Sequence, residues 1–364
     1  MVVSLSSSSE CNSQGGGNVV TVKNAFLGPN GHADFFKDCS YGRMVFDRQA
    51  LTVVSTVLPC SVDIAVNCDE DMIADAAKRQ LPPGVKVGSY DHHLYVFPGT
   101  SGCNKPALAD IPGIKSWYPP NNFGIFSKGT VMQEILHNFG IYHGYKNLVE
   151  YEDYSSAMGK GASCPSAPEL WRLGWATPLA QLNSTSLPLA TYTSFTLPAT
   201  YLGPKGVMIR IIPDWLGKDY TKNLYLALRV KAAGDRDLLE DFNGKLNIHE
   251  VISKYDSNLI SEVNSMVNFL AAQSPNSNVN YPQYKLQLIT GALVNGGTAI
   301  SVKLCRFIAG PKECTEPSQR PSLFSPPKLA SPPLKTPPPS RLSKPPPPAP
   351  PSKHDAPPPL DYGN

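Results

Sequence analysis

Residues 130–144 read Thr-Val-Met-Gln-Glu-Ile-Leu-His-Asn-Phe-Gly-Ile-Tyr-His-Gly, and this run decides what kind of fold surrounds it. Val131, Ile135 and Phe139 recur every four residues with Met132 and Leu136 beside them, so the spacing predicts a helix with one apolar side to bury. Gln133 and His137 share the same step, which puts their side chains one turn apart on one face, where both can reach a single metal ion. Gly140 follows His137 by three residues; a left-handed glycine there can end the helix and let the chain turn back to offer His143 as a third ligand. Glu134 is then left free for chemistry.

The run matches the zinc-peptidase pattern His-Glu-x-x-His-x-x-Gly-x-x-His with one change, Gln133 at the first histidine position. Three protein ligands and an open fourth position let an ion hold a water, lower its pKa towards neutrality and polarise a peptide carbonyl. Glu134 would take that water's proton and pass it to the leaving amine. Glutamine ligates only through a neutral carbonyl oxygen, a weaker partner for zinc than imidazole, so affinity should fall and the preferred ion can change. The plainer reading is a buried helix whose histidines are satisfied by hydrogen bonds. Four motif positions at the right offsets on one amphipathic run favour the metal site.

Downstream, Tyr154-Ser155-Ser156-Ala157-Met158-Gly159 is similar to the methionine-containing turn that metzincins place under their metal, with Met158 fifteen residues after His143. Glu152-Asp153 precede it, and Cys164 and Trp171-Arg172-Leu173-Gly174-Trp175 follow. Together these resemble the gametolysin family, the cell-wall-lytic metallopeptidases of volvocine green algae. The likeness runs from about Phe35 to about Cys314 and includes Tyr90-Asp91-His92-His93 and the Leu-Tyr-Val-Phe-Pro run overlapping it. Some members of that family resemble this chain in carrying glutamine at the first ligand position. The resemblance therefore implies a zinc or copper site, with Met158 supporting it from below.

The chain has 364 residues, room for two ordinary domains and a tail. Of its 37 prolines, 18 fall between Pro317 and Pro359, which marks that segment as a separate material. From Pro317 onward six Lys or Arg stand against two Asp, so the tail carries +4 of the net +3 and leaves the body at −1. A nearly neutral body argues against nucleic acid as a partner. No apolar run is long enough to span a membrane, and residues 1–10 lack a signal-peptide core, so a secreted protein would have its targeting segment outside this chain. Eight cysteines suit four disulfides in an oxidising compartment. Short loops suggest Cys60 with Cys68 and Cys305 with Cys314, and Asn183-Ser184-Thr185 is a glycosylation sequon.

Residues 1–17, rich in Ser and Gly, read as a flexible lead-in. Val19–Val22, Arg43–Phe46, Leu51–Val57, Val85–Val87 and His93–Phe97 read as strands, and Asp69 caps a helix running to Gln80. Between Pro98 and Asn122 an edge strand lining a substrate groove and a disulfide-tied surface loop are equally compatible. Ala167–Leu173 reads as a helix with proline in its first turn. Beyond it, Ser194–Leu197, Val207–Ile212, Leu224–Val230, Leu246–Ile252, Tyr284–Ile289 and Thr298–Phe307 alternate or cluster β-formers, with a loop or a short helix near Ile260–Leu270. His249, alone in a strand pattern, reads as structural or exposed. From residue 316 the Ser-Pro-Pro and Lys-Pro-Pro-Pro-Pro repeats predict disordered, extended polyproline, similar to extensin and suited to tethering.

The expectation is an α+β chain: lead-in 1–17, a metzincin-like domain of mixed twisted sheet and helices at 18–177, a β-sandwich at 178–315 and a proline-rich tail at 316–364. Its function would be that of a secreted endopeptidase acting on hydroxyproline-rich matrix glycoproteins. Glu134 would be catalytic, Gln133, His137 and His143 metal-ligating. The rival is an inactive matrix-binding protein with a degenerate site. A serine or cysteine hydrolase is remote, since no Gly-x-Ser-x-Gly motif occurs.

Overall fold

The computed structural model describes residues 2–5, 15–58, 61–65, 67–97, 106–256 and 266–317. Within them six helices run in chain order: α1 (Val19–Leu27), α2 (His32–Cys39), α3 (Val62–Ala65), α4 (Glu70–Arg79), α5 (Lys128–Asn138) and α6 (Ala167–Arg172). The strands are β1 (Val2–Leu5), β2 (Val53–Thr56), β3 (His93–Val96), β4 (Leu108–Ala109), β5 (Lys115–Tyr118), β6 (Gly144–Lys146), β7 (Val149–Glu150) and β8 (Ala180–Leu182). They continue with β9 (Thr193–Pro198), β10 (Ile209–Ile211), β11 (Lys222–Arg229), β12 (Lys245–Ile252), β13 (Val267–Gln273), β14 (Asn278–Tyr281), β15 (Leu286–Val294) and β16 (Ala299–Arg306). The α+β class is as the sequence predicts.

The first sheet has the order β2-β1-β3-β5-β4 and is mixed: only β4 runs antiparallel to its neighbour, and it forms one edge. Alternation along β3 explains its two covered faces. Leu94 and Val96 join the core under α1, α2 and α5, whereas Tyr95 and Phe97 face the core under α4 with Ile73, Ala76 and Ala77. Asp69 caps α4 by accepting from the Met72 amide, as expected.

A seven-stranded sheet, order β7-β6-β13-β12-β11-β10-β8, forms the middle layer. Leu224, Leu226 and Leu228 of β11 point into a core shared with the four-stranded sheet β14-β15-β16-β9, while Tyr225 and Ala227 point into the core around α5. The region expected to form a sandwich after residue 178 contains two sheets that face each other across this core. Its larger sheet also takes in β6, which pairs in parallel with β13 at Gly144–Val267. The boundary expected at 177 is therefore crossed by a hydrogen-bonded ladder and by one continuous core.

Several local expectations are corrected. Val2–Leu5 is no lead-in, since its backbone pairs on both sides with β2 and β3. Val19–Val22 opens a helix: Asn18 accepts from the amides of Val20 and Thr21, and Val22 and Phe26, four apart, bury on one face. The cap and the burial outweigh the β-preference of the valines. Arg43–Phe46 is irregular chain, its start fixed by the Met44 amide on Ser40 Oγ, and in place of a strand Val85 and Lys86 are irregular and Val87 opens a short 3-10 helix, Val87–Ser89. Val267–Leu270 belongs to β13, not a helix. Cys305–Cys314 forms as expected, and Cys39–Cys164 adds a bond that spacing did not suggest. Cys60, residues 257–265 and the proline-rich tail from 318 lie outside the described residues.

Candidate metal centre

Helix α5 carries the first part of the site. Ser127 caps it by accepting from the Thr130 amide, and Val131, Met132, Ile135 and Leu136 are fully buried. Phe139 departs from the predicted apolar face; it is exposed, with its ring against His92. Gly140 has a φ of +81° and its amide bonds the His137 carbonyl, so the helix ends where the motif predicts. At this end Asn138 donates to the carbonyls of Asp110 and Lys115, both at 2.9 Å, which docks the helix under the hairpin of β4 and β5.

The turn after Gly140 returns the chain as expected. Gln133, Glu134, His137 and His143 line a single cleft of about 630 Å³, bounded by Leu108 and Ala109 of the edge strand. The imidazoles of His137 and His143 lie 4.6 Å apart between centroids. His137 places Nδ1 2.7 Å from the Ile141 carbonyl, and His143 places Nδ1 2.6 Å from Glu150 Oε1. With Nδ1–H donated in each case, the tautomer is set and both Nε2 atoms are left as acceptors, the state a metal ligand requires. Burial pushes His137 down to about 4, helped by the charge of His143 and opposed by the Ile141 carbonyl; burial also lowers His143, against Glu150. Both rings are therefore neutral at neutral pH, and the donor set fits a divalent cation.

Among the described residues, no three His, Cys, Asp or Glu side chains come together as a ligand set. Gln133, one turn before His137 on helix α5, lines the same cleft with a neutral amide. Glu134 is almost fully buried, and desolvation alone pushes its carboxyl up to about 8. A cation held beside it would act in the opposite direction.

Met158 is fully buried and does not line the cleft; its carbonyl accepts from the amide of Gly144, at 2.7 Å, directly after His143. Asp153 organises this turn. Its Oδ1 accepts from the amide and hydroxyl of Ser155, and its Oδ2 lies 3.0 Å from His249 Nε2. Burial raises the Asp153 pKa, but the charge of His249 and the Ser155 hydrogen bonds outweigh it and hold the carboxyl below its ordinary value. His249 is thus structural, tying β12 to the turn next to the site. A Cβ on Gly159 would sit 1.9 Å from the Asp153 carbonyl oxygen, so that turn closes only over glycine.

Sequence reasoning missed Glu150 and Tyr151. Tyr151 lines the cleft with its ring 4.1 Å from that of His143. The signal for Glu150 lay in Asn147 and Leu148, both at positive φ, which form the tight turn between β6 and β7.

A glutamate on a buried helix and two neutral histidines aligned through Nδ1 thus share one cleft walled by an edge strand. The chain belongs to the gametolysin peptidase M11 family, which it matches over residues 1–283. That match begins upstream of the Phe35 suggested by motif and takes in β1. The chain is also 30% identical over 96 residues to autolysin of Chlamydomonas reinhardtii, a stretch covering 24% of this chain and 15% of that protein. No solved structure matches it.

Proposed function

We propose that this protein is a secreted metal-dependent endopeptidase that cleaves hydroxyproline-rich glycoproteins of a cell wall or extracellular matrix. The observation that carries the reading is the convergence of Glu134 with two histidines whose Nδ1 atoms are already engaged, in one cleft of a gametolysin-family chain. Gln133, His137 and His143 would hold the ion, zinc or copper. The ion supplies Lewis acidity towards the scissile carbonyl and makes a water acidic. Glu134 would accept the proton of the attacking water and return it to the leaving amine. An extended peptide would add to the free edge of β4, whose backbone pairs only with β5 among the described residues. Met158 would support His143 through the Gly144 amide without touching substrate. The proline-rich tail would hold the enzyme to the matrix. No described helix is long and apolar enough to cross a membrane.

An inactive matrix-binding role is less well supported, because a site kept only for structure gains nothing from burying the Glu134 carboxyl at the cost of its desolvation. The test is peptidase activity on a denatured protein after chelation and re-addition of zinc or copper, with bound metal measured alongside. Activity restored by one ion supports the reading and names the metal. Stoichiometric metal in a folded chain without activity would overturn it.

A further inference from the structure

Attack of water on a peptide carbonyl leaves negative charge on the substrate oxygen. Lewis acidity answers part of that charge, and a hydrogen-bond donor of the protein, aimed at the same oxygen, answers the rest. In the cleft of Glu134 the side-chain donors are nearly all committed. The Nδ1–H groups of His137 and His143 go to the Ile141 carbonyl and to Glu150, and the Thr130 hydroxyl donates to the Phe123 carbonyl at 3.0 Å. The described lining contains no Lys or Arg, and Gln133 is already counted among the proposed ligands. Asn121 and Tyr151 remain. Asn121 belongs to the loop before α5, its Oδ1 accepting from the Phe123 amide at 2.9 Å, whereas Tyr151 packs directly on His143.

Tyr151 stands where such a donor would serve. Its ring lies 4.1 Å from that of His143, with the two planes 41° apart, and the residue is 37% exposed. Its hydroxyl makes no hydrogen bond with any described residue. The backbone beneath it is strained and held. Tyr151 has a φ of +65°, which bulky residues rarely adopt and which persists only where neighbours enforce it. Glu150 before it is bound by His143 and Tyr145, and Asp153, two residues on, is buried and bound by Ser155 and His249. Glycine or asparagine would take this φ more readily. The chain instead spends the position on an aromatic ring with an open hydroxyl in the cleft.

We infer that Tyr151 is a catalytic residue, whose hydroxyl donates a hydrogen bond to the substrate carbonyl oxygen as that oxygen becomes an oxyanion. The inference rests on the cleft being a peptidase site, as proposed above, and adds a residue to its machinery. On that reading water adds to the carbonyl carbon, Glu134 accepts the water's proton, and the electron pair of the C=O π bond moves onto oxygen. Tyr151 keeps its own proton and shares it with that oxygen. When the carbonyl re-forms and the C–N bond breaks, the proton on Glu134 goes to the amine.

The experiment compares the full, disulfide-intact chain with Tyr151→Phe, which keeps the ring and removes only the hydroxyl. Both are loaded with the ion, zinc or copper, that restores cleavage of denatured casein, and both are assayed on a peptide spanning a bond cut there. Metal affinity should be unchanged, and kcat should fall by about 100-fold while KM moves by less than about twofold. A second readout needs no turnover. A peptide with a phosphinate in place of the scissile amide carries the tetrahedral, charged oxygen, and Tyr151→Phe should weaken its binding by about tenfold or more. The uncleaved peptide, bound to chains that also carry Glu134→Ala, should lose less than about twofold. Wild-type kcat in Tyr151→Phe, equal losses for phosphinate and uncleaved peptide, or a loss of metal affinity that accounts for the lost rate would each overturn the assignment and leave the peptidase reading standing. A wild-type chain that neither cleaves casein nor binds the phosphinate with either ion would overturn both.

Discussion

The Nδ1 atom of His143 lies 2.6 Å from Glu150 Oε1, across the tight turn that joins β6 to β7. Glu150 also accepts from the Tyr145 hydroxyl at 3.1 Å, so its carboxylate is held from two sides, and those bonds, with His143 first, keep it below its ordinary pKa. A half-exposed carboxylate thereby orients the His143 ring, a proposed metal ligand, without entering the cleft. Glu150→Gln or Glu150→Ala should lower metal affinity by about 10- to 100-fold with little effect on the unfolding midpoint. Competition with a chromophoric chelator measures this, and an unchanged affinity would show that the pair does not position the ligand.

Glu134 makes a different prediction. Glu134→Ala should leave metal stoichiometry intact while reducing turnover by at least about a hundredfold, because the proton route is lost and the ligands are not. Retained activity would remove Glu134 from its assigned role.

Gln133 is the weakest donor of the proposed ligand set. Gln133→His should raise zinc affinity about tenfold or more, since an imidazole nitrogen replaces an amide oxygen at the same helical position. Calorimetric titration with zinc gives the answer. No change would place residue 133 outside the ligand set.

Stability should depend on pH through His32, remote from the site's chemistry. Its Nε2–H donates to the Ile125 carbonyl at 2.8 Å, its Nδ1 has no hydrogen-bond partner among the described residues, and burial, the main cause, pushes its pKa down from 6.5 to about 4. Between these values the unfolded chain binds a proton that the folded chain does not. This contribution is therefore complete above pH 6.5 and falls away on acidification towards pH 4, by up to about 3 kcal/mol. Urea unfolding at pH 7.5 and pH 5 should show the loss in the wild type and a smaller one in His32→Gln, whose amide can keep the Ile125 bond without titrating. Equal slopes would exclude His32 as the source.

The two described disulfides should differ in weight. Cys39–Cys164 spans 125 residues and Cys305–Cys314 spans 9, so loop entropy alone assigns them about 5 and about 3 kcal/mol. Replacing each pair by serine and comparing urea midpoints tests the order. The long-range bond is also closely covered: a Cβ on Gly234 would meet the sulfurs of Cys164 and Cys39 at 2.4 and 2.7 Å, so Gly234→Ala should destabilise as well.

The clearest sequence signals were those carried by short offsets. The four-residue step from Gln133 to His137, the glycine at 140 and the apolar face of α5 all depend on helix geometry alone, and so did the Asp69 cap. Where a segment's partner lay far along the chain, local preference misled. Val19–Val22 has strand composition and forms a helix because Asn18 caps it and Phe26 has a core to enter. Val2–Leu5, read as lead-in, pairs with strands about fifty and ninety residues away.

The sequence by itself therefore determined the helix that carries Gln133, Glu134 and His137, its glycine end at Gly140 and the candidate ligand positions, because each is written within about fifteen residues and follows from fixed backbone periodicity. The tertiary structure decided the rest. It brought Glu150 to His143 through a hairpin, tied Asp153 to His249 across 96 residues, laid β6 into the sheet of the β-rich half and left Phe123 bare beside the cleft. Those relationships depend on which surfaces meet when the chain packs, and no local spacing encodes that.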